Sequence, residues 1–154
     1  MSKLKKLGDI FSATGLLVGS SITGGQLRSL ASKLHDSPSL YIIPVTNWKN
    51  YDTIYTERFM STPEKNPNYD KGSPNDYAKN LKAPYLLIHG TGDDNVHYQS
   101  FEFLVNELIK LGKPFDMMAY PNRSHSIREG EGTTLHLFSL MTRYLNEHLP
   151  VGGR

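Results

Sequence analysis

The stretch LLIHGTGDDNVHYQ, Leu86 to Gln99, decides how the rest of the chain is read. It belongs to a short apolar run, Ala83 to Gly90, of the kind that forms a strand covered on both faces. Two adjacent carboxylates, Asp93 and Asp94, follow almost at once. Neighbouring carboxylates repel each other and gain nothing from an apolar interior, so their place beside a buried strand end asks for a chemical reason. Downstream, Phe101, Leu104, Val105, Leu108 and Ile109 fall on one face of an amphipathic helix. Gly112 and Pro114 end it. PFDMMAYP, Pro114 to Pro121, reads as a second strand, and NRSHSIREGEG, Asn122 to Gly132, as a polar loop. A last helix carries Leu137, Leu140, Met141, Tyr144 and Leu145 on one face, before a frayed tail at 151–154.

Strand, helix, strand, loop and helix in alternation predict an α/β fold with a parallel sheet. In such sheets functional groups gather beyond the carboxyl ends of the strands. Asp93 follows one such end and His125 the next, so both open onto the same rim. Upstream, GLLVGSSITGGQLRSLASKLHDSPSLYIIPV, Gly15 to Val45, reads as strand, glycine-rich turn, helix and strand, with Leu27, Leu30, Ala31 and Leu34 as the helix's apolar face. The aromatic segment Val45 to Met60 lacks a clean period. Residues 61–80 hold Pro, Asn, Gly and Asp throughout and are expected to form a long surface loop.

With 154 residues the chain suits one domain with a real core. Seventeen basic against fifteen acidic side chains give a net charge of +2, which argues against nucleic acid or a membrane surface as the default partner. The absence of cysteine removes disulfides, zinc thiolate sites and a Cys nucleophile. Lys3, Lys5 and Lys6 open the chain like an export signal, but Asp9 interrupts the apolar stretch and no clean cleavage site follows. No export signal and no membrane span are expected, and the cytoplasm is the default compartment.

Acyl-transfer hydrolases need a nucleophile, a His base and a carboxylate that orients the His. One fold supplies them in the chain order Ser, Asp, His, each after a strand. Asp93 and His125 stand in the second and third places of that order. His35, His136 and His148 show no metal-ligand spacing, and no cofactor is expected.

The words HGTGDDNVHYQ and PVTNWKNYDTIYTERFM are more specific. Together they resemble the dipeptidyl peptidase IV branch of the prolyl oligopeptidase family, serine exopeptidases that remove Xaa-Pro or Xaa-Ala dipeptides. The resemblance covers residues 44–150 and implies the C-terminal part of an α/β-hydrolase catalytic domain. It makes Asp93 the triad acid and His125 the base. Asn95 matches a position that holds the substrate's backbone carbonyl. Val45, Trp48, Tyr51, Tyr55 and Val96 match the wall of the proline-accepting S1 pocket, where flat rings bury a compact apolar ring at small entropic loss. Asp94 is expected to serve the loop's backbone, and Glu57, Arg58, His89 and His97 to be structural.

The family's nucleophile sits in a G-W-S-Y-G-G elbow. Here VGSSITGGQL offers Gly19, Ser21, Gly24 and Gly25 only with one residue inserted, with Ser20 in place of the tryptophan and the β-branched Thr23 in a turn that disfavours it. Residues 1–43 do not otherwise match, and the β-propeller and first part of the hydrolase sheet that precede this region in the family are expected to be missing. The expectation is a truncated or rearranged relative, with a frame change before Pro44 as one origin. The leading reading is a serine peptidase whose Ser21 is badly framed as nucleophile. The alternative is a non-catalytic hydrolase remnant that self-associates, as a homodimer, through the strand at Phe115 to Tyr120 and the last helix; a small esterase-like hydrolase ranks third. A four-stranded sheet of this kind leaves an apolar edge open to association.

Overall fold

A computed structural model describes residues 17–18, 39–71 and 73–149. Its sheet has four parallel strands in sequence order: β1 (Leu17–Val18), β2 (Ser39–Ile42), β3 (Tyr85–Gly90) and β4 (Asp116–Tyr120). Leu40 pairs with Leu86, and Gly90 with Tyr120. Helices α1 (Thr53–Met60), α2 (Asn68–Lys71), α3 (Tyr98–Lys110) and α4 (Thr133–His148) complete the described chain, with 3₁₀ turns at Trp48–Asn50 and Pro74–Asn80.

β3 is buried along its whole length, and its side chains alternate between two cores as a strand's period of two requires. Leu86 and Ile88 join Leu40, Tyr120, Ile127 and the α4 residues Leu137, Met141 and Tyr144. Tyr85 and Leu87 join Ala78, Leu81 and the α3 residues Phe101, Leu104 and Leu108. The sheet is thus a middle layer between α3 and α4. Each fully buried aliphatic side chain of β3 contributes roughly 1.5–3 kcal/mol.

α3 ends in a Schellman motif: Gly112, at φ 63°, donates to the Ile109 carbonyl, and Lys113 donates to that of Leu108. Ile109 departs from its expected place on the buried face and is 62% exposed. The α3 stripe is filled by Phe101, Leu104 and Leu108, which leaves Ile109 to solvent. Residues 61–80 are more ordered than their composition predicts. Tyr69 and Ser73 are buried, because the Tyr69 hydroxyl donates to the Ser61 carbonyl and the Ser73 hydroxyl to that of Tyr69. The helix expected around Leu27 to Leu34 and the glycine-rich turn lie outside the described residues. No helix among the described residues is long and apolar enough to cross a membrane.

Candidate active site

Beyond β3 the chain turns at Thr91 and Gly92 and sends the two aspartates apart. Asp93 folds inward and is 5% exposed, while Asp94 stays at the surface. Parting them relieves the repulsion that their adjacency creates. Asp93 Oδ1 accepts from the backbone N–H groups of Asn95 (2.9 Å) and Val96 (3.0 Å). These are the loop bonds expected of Asp94. They fall to Asp93 because only the inward carboxylate meets the N–H groups that the turn directs at it.

His125 Nδ1 lies 3.0 Å from Asp93 Oδ2 and 3.2 Å from Oδ1. The imidazole is 25% exposed and the carboxylate fully buried. A neutral ring donating Nδ1–H to this carboxylate keeps its lone pair on Nε2, the arrangement a general base needs.

Close packing of two loops allows the meeting. A Cβ on Gly90 would stand 2.2 Å from the Arg123 carbonyl oxygen, so only glycine lets the His125 loop lie against the end of β3. Gly92 N–H donates to that same oxygen (3.1 Å), Thr91 N–H to the Tyr120 carbonyl (2.9 Å), and Asn122 N–H to the Thr91 hydroxyl (2.8 Å). On its far side the His125 loop closes on Glu129, which accepts from the Ser124 hydroxyl and from the Ser124 and Arg128 N–H groups. The Ser124 hydroxyl bond above all holds the Glu129 carboxyl down to about 2. Arg123 ties the same loop to α4 through the Thr133 hydroxyl.

A second imidazole, missed as a site residue in the sequence, touches the same carboxylate. His89 is wholly buried at the end of β3, with Nε2 2.8 Å from the Val96 carbonyl oxygen and 3.2 Å from Asp93 Oδ2. Burial lowers its pKa, against the opposing pull of the Val96 carbonyl and of Asp93. The "HG" at a strand end was the visible sign, but nothing in its spacing says which way the ring turns.

The aromatic segment forms a neighbouring wall. Trp48 and Tyr55 stack at 6.4 Å, and Tyr51 meets both edge-on, at 6.1 and 5.7 Å. Phe59 extends the row from Tyr55 at 5.0 Å. Val45 and Tyr51 pack on the core cluster that contains Val96. The Tyr51 hydroxyl donates to Asn95 Oδ1 at 2.9 Å and so joins the wall to the Asp93 loop. Burial above all, with the charges of Asp52, Tyr55 and Asp93, raises the Tyr51 pKa and keeps it a donor. Two more bonds fix the wall: Thr46 donates its hydroxyl to the Ser100 carbonyl, and Trp48 N–H donates to the Ser73 hydroxyl (3.2 Å). All eight residues singled out in the sequence are thereby connected through bonds or packing: Asp93, His125, Asn95, Val96, Tyr51 and Val45 directly, and the buried Trp48 and the exposed Tyr55 through their ring contacts with Tyr51.

Ser20, Ser21 and the glycines around them lie outside the described residues. No three acidic or histidine side chains among the described residues are grouped to hold a metal ion.

The profile of the prolyl oligopeptidase family matches residues 39–151. A probable dipeptidyl-aminopeptidase B of Aspergillus niger is 47% identical over 89 residues, which cover 56% of this chain and 10% of that protein. Prolyl endopeptidase FAP of Mus musculus is 35% identical over 135 residues, 80% of this chain and 17% of its own length. Among solved structures, the dipeptidyl peptidase 4 of Porphyromonas gingivalis superposes with a TM-score of 0.73 at 33% identity, over 80% of this chain and 18% of that one. The chain therefore spans less than a fifth of the length of these relatives.

Proposed function

Because this chain belongs to the prolyl oligopeptidase family, in its dipeptidyl peptidase IV branch, we propose that it carries the acid–base pair and S1 wall of a serine peptidase site for peptides with proline or alanine in second position. Its fold is the α/β-hydrolase type, in the C-terminal part of the catalytic domain. The observation that carries the proposal is the 3.0 Å contact between a buried carboxylate after β3 and a partly exposed imidazole after β4.

In this reading Asp93 fixes the His125 tautomer and stabilises the imidazolium that forms when Nε2 takes the serine proton. The same proton passes to the departing amine as the acyl-enzyme forms, and water then regenerates the serine with His125 as base. Asn95, held by Tyr51, orients the substrate's backbone carbonyl. Val45, Trp48, Tyr51, Tyr55 and Val96 receive the proline ring. Ser21 is the candidate nucleophile.

Fluorophosphonate labelling with mapping of the modified residue tests the proposal. The expected result is a label on Ser21 that His125→Ala abolishes, together with cleavage of a chromogenic Gly-Pro substrate that Ser21→Ala removes. A folded protein that takes no label and cleaves nothing overturns the peptidase reading.

A second reading, self-association, draws on β4. It is one edge of the described sheet, its Met117 is 47% exposed, and α4 beside it in sequence exposes Leu135 and Phe138. Such an edge pairs readily with another copy. Light scattering that gives a dimer supports this reading, and a monodisperse monomer ends it.

A further inference from the structure

We propose that His89 is a positioning residue for the acid–base pair: one buried, neutral imidazole that fixes both the Asp93 carboxylate and the backbone carrying Asn95 and Val96. The inference rests on the peptidase reading for its catalytic meaning, but the geometry it uses stands apart from any turnover.

Asp93 offers two oxygens to four neighbours. Oδ1 accepts from the Asn95 and Val96 N–H groups, and Oδ2 faces His125 Nδ1 at 3.0 Å and His89 Nε2 at 3.2 Å. The first two bonds set where the carboxyl group sits, while rotation about its own axis is limited by what holds Oδ2. His125 is on a separate loop and is part-exposed, so it follows the carboxylate rather than anchors it. His89 is wholly buried on β3, and its ring meets the stacked pair of Tyr98 and Phe101 in T-shaped contacts at 5.7 and 5.6 Å. It is the rigid member of the pair.

The same Nε2 is 2.8 Å from the Val96 carbonyl oxygen, a group that only accepts. Nε2 must therefore carry the proton. Nδ1 has no hydrogen-bond partner among the described residues, so a proton there would be a buried donor left unpaired. The ring is thus held as the neutral Nε2–H tautomer, and its lowered pKa agrees. The titratable groups around it are Asp93 and His125 on the two loops and the Tyr98 phenol on α3. In this state the N–H bonds the Val96 carbonyl, and its positive end lies beside Oδ2, with Nε2 3.2 Å away. It links the triad acid to the segment that orients substrate, without competing with His125 for a full charge.

Nitrogen-15 NMR of the histidine rings in the full chain tests the proposal without requiring activity. In the unmodified protein His89 is expected as the Nε2–H tautomer at neutral pH, and His125 as the Nδ1–H tautomer with a low-field Nδ1–H resonance. His89→Leu is expected to lose that resonance through exchange with water and to mix the His125 tautomers, and His89→Gln, which restores a donor, to recover both. If His89 is Nδ1–H in the unmodified protein it cannot donate to either oxygen, and if it is charged it competes with His125 for Asp93; either result overturns the proposal, whether or not the leucine variant folds. A folded His89→Leu protein with an unchanged His125 resonance overturns it as well. Absent fluorophosphonate labelling with the expected ring signals sinks the peptidase reading alone; altered ring signals with intact labelling sink this one alone.

Discussion

Around Asp93 the contacts are short, polar and buried, whereas the row from Trp48 to Phe59 is held mainly by ring faces and grows more exposed along its length. The carboxylate node is specified by directional bonds in a water-excluded place, where a small displacement leaves a charge unsatisfied. The aromatic wall is pinned by hydrogen bonds at Thr46, Trp48 and Tyr51, and beyond them its rings are placed by packing, which tolerates tilt and sliding. The Tyr51–Asn95 bond is where the two meet. The difference teaches that the carboxylate–imidazole geometry is fixed within this chain, while the outer rings of the wall, Tyr55 and Phe59, are left exposed.

Breaking the node should have the largest effect. Asp93→Asn keeps the shape but presents an amide to the imidazoles, and loss of the His125 tautomer should reduce Gly-Pro substrate cleavage by roughly four orders of magnitude. A cleavage assay beside circular dichroism separates this from unfolding; activity retained within tenfold would show that the node is not what matters. Next comes the packing that brings the loops together. Gly90→Ala sets a Cβ against the Arg123 backbone and should destabilise by about 3 kcal/mol in urea unfolding, while moving the His125 ring signals. A smaller change sharpens the boundary between node and wall. Tyr51→Phe removes the bond to Asn95 but keeps the ring contacts, for a loss of about 1 kcal/mol. Its signature is a perturbed Asn95 side-chain amide with the His125 tautomer unchanged. Smallest is Ile109→Lys on the exposed side of α3, expected within about 0.5 kcal/mol of the original in the same urea titration.

Much of the second half of the fold was legible from periodicity. β3 announces itself as an unbroken apolar run, and α3 and α4 as stripes at helical spacing. The exceptions have local causes. Ile109 fits the stripe on paper but falls past the edge of the contact with β3 and the Pro74–Asn80 turn. Residues 61–80 read as loop because their burial depends on a few side chains, Tyr69, Ser73 and Ala78, that show no period. The site was legible in its members more than in its wiring. Strand order put Asp93 and His125 on one rim and the family resemblance singled them out, but Asp93 and Asp94 are chemically identical in sequence. Only the turn at Thr91 and Gly92 decides which is buried.

The amino-acid sequence by itself determined the strand and helix periods, the order of acid and imidazole after successive strands, and the words that carry the family resemblance. These are local properties, fixed by which side chains repeat at which interval. Tertiary structure alone decided that His89 shares the Asp93 carboxylate with His125, that Gly90 admits the Arg123 backbone, and that Tyr51 reaches Asn95. Those contacts join residues up to 44 positions apart. Their geometry depends on sheet register and on how closely two loops can pack, and neither quantity is written in any single segment of the chain.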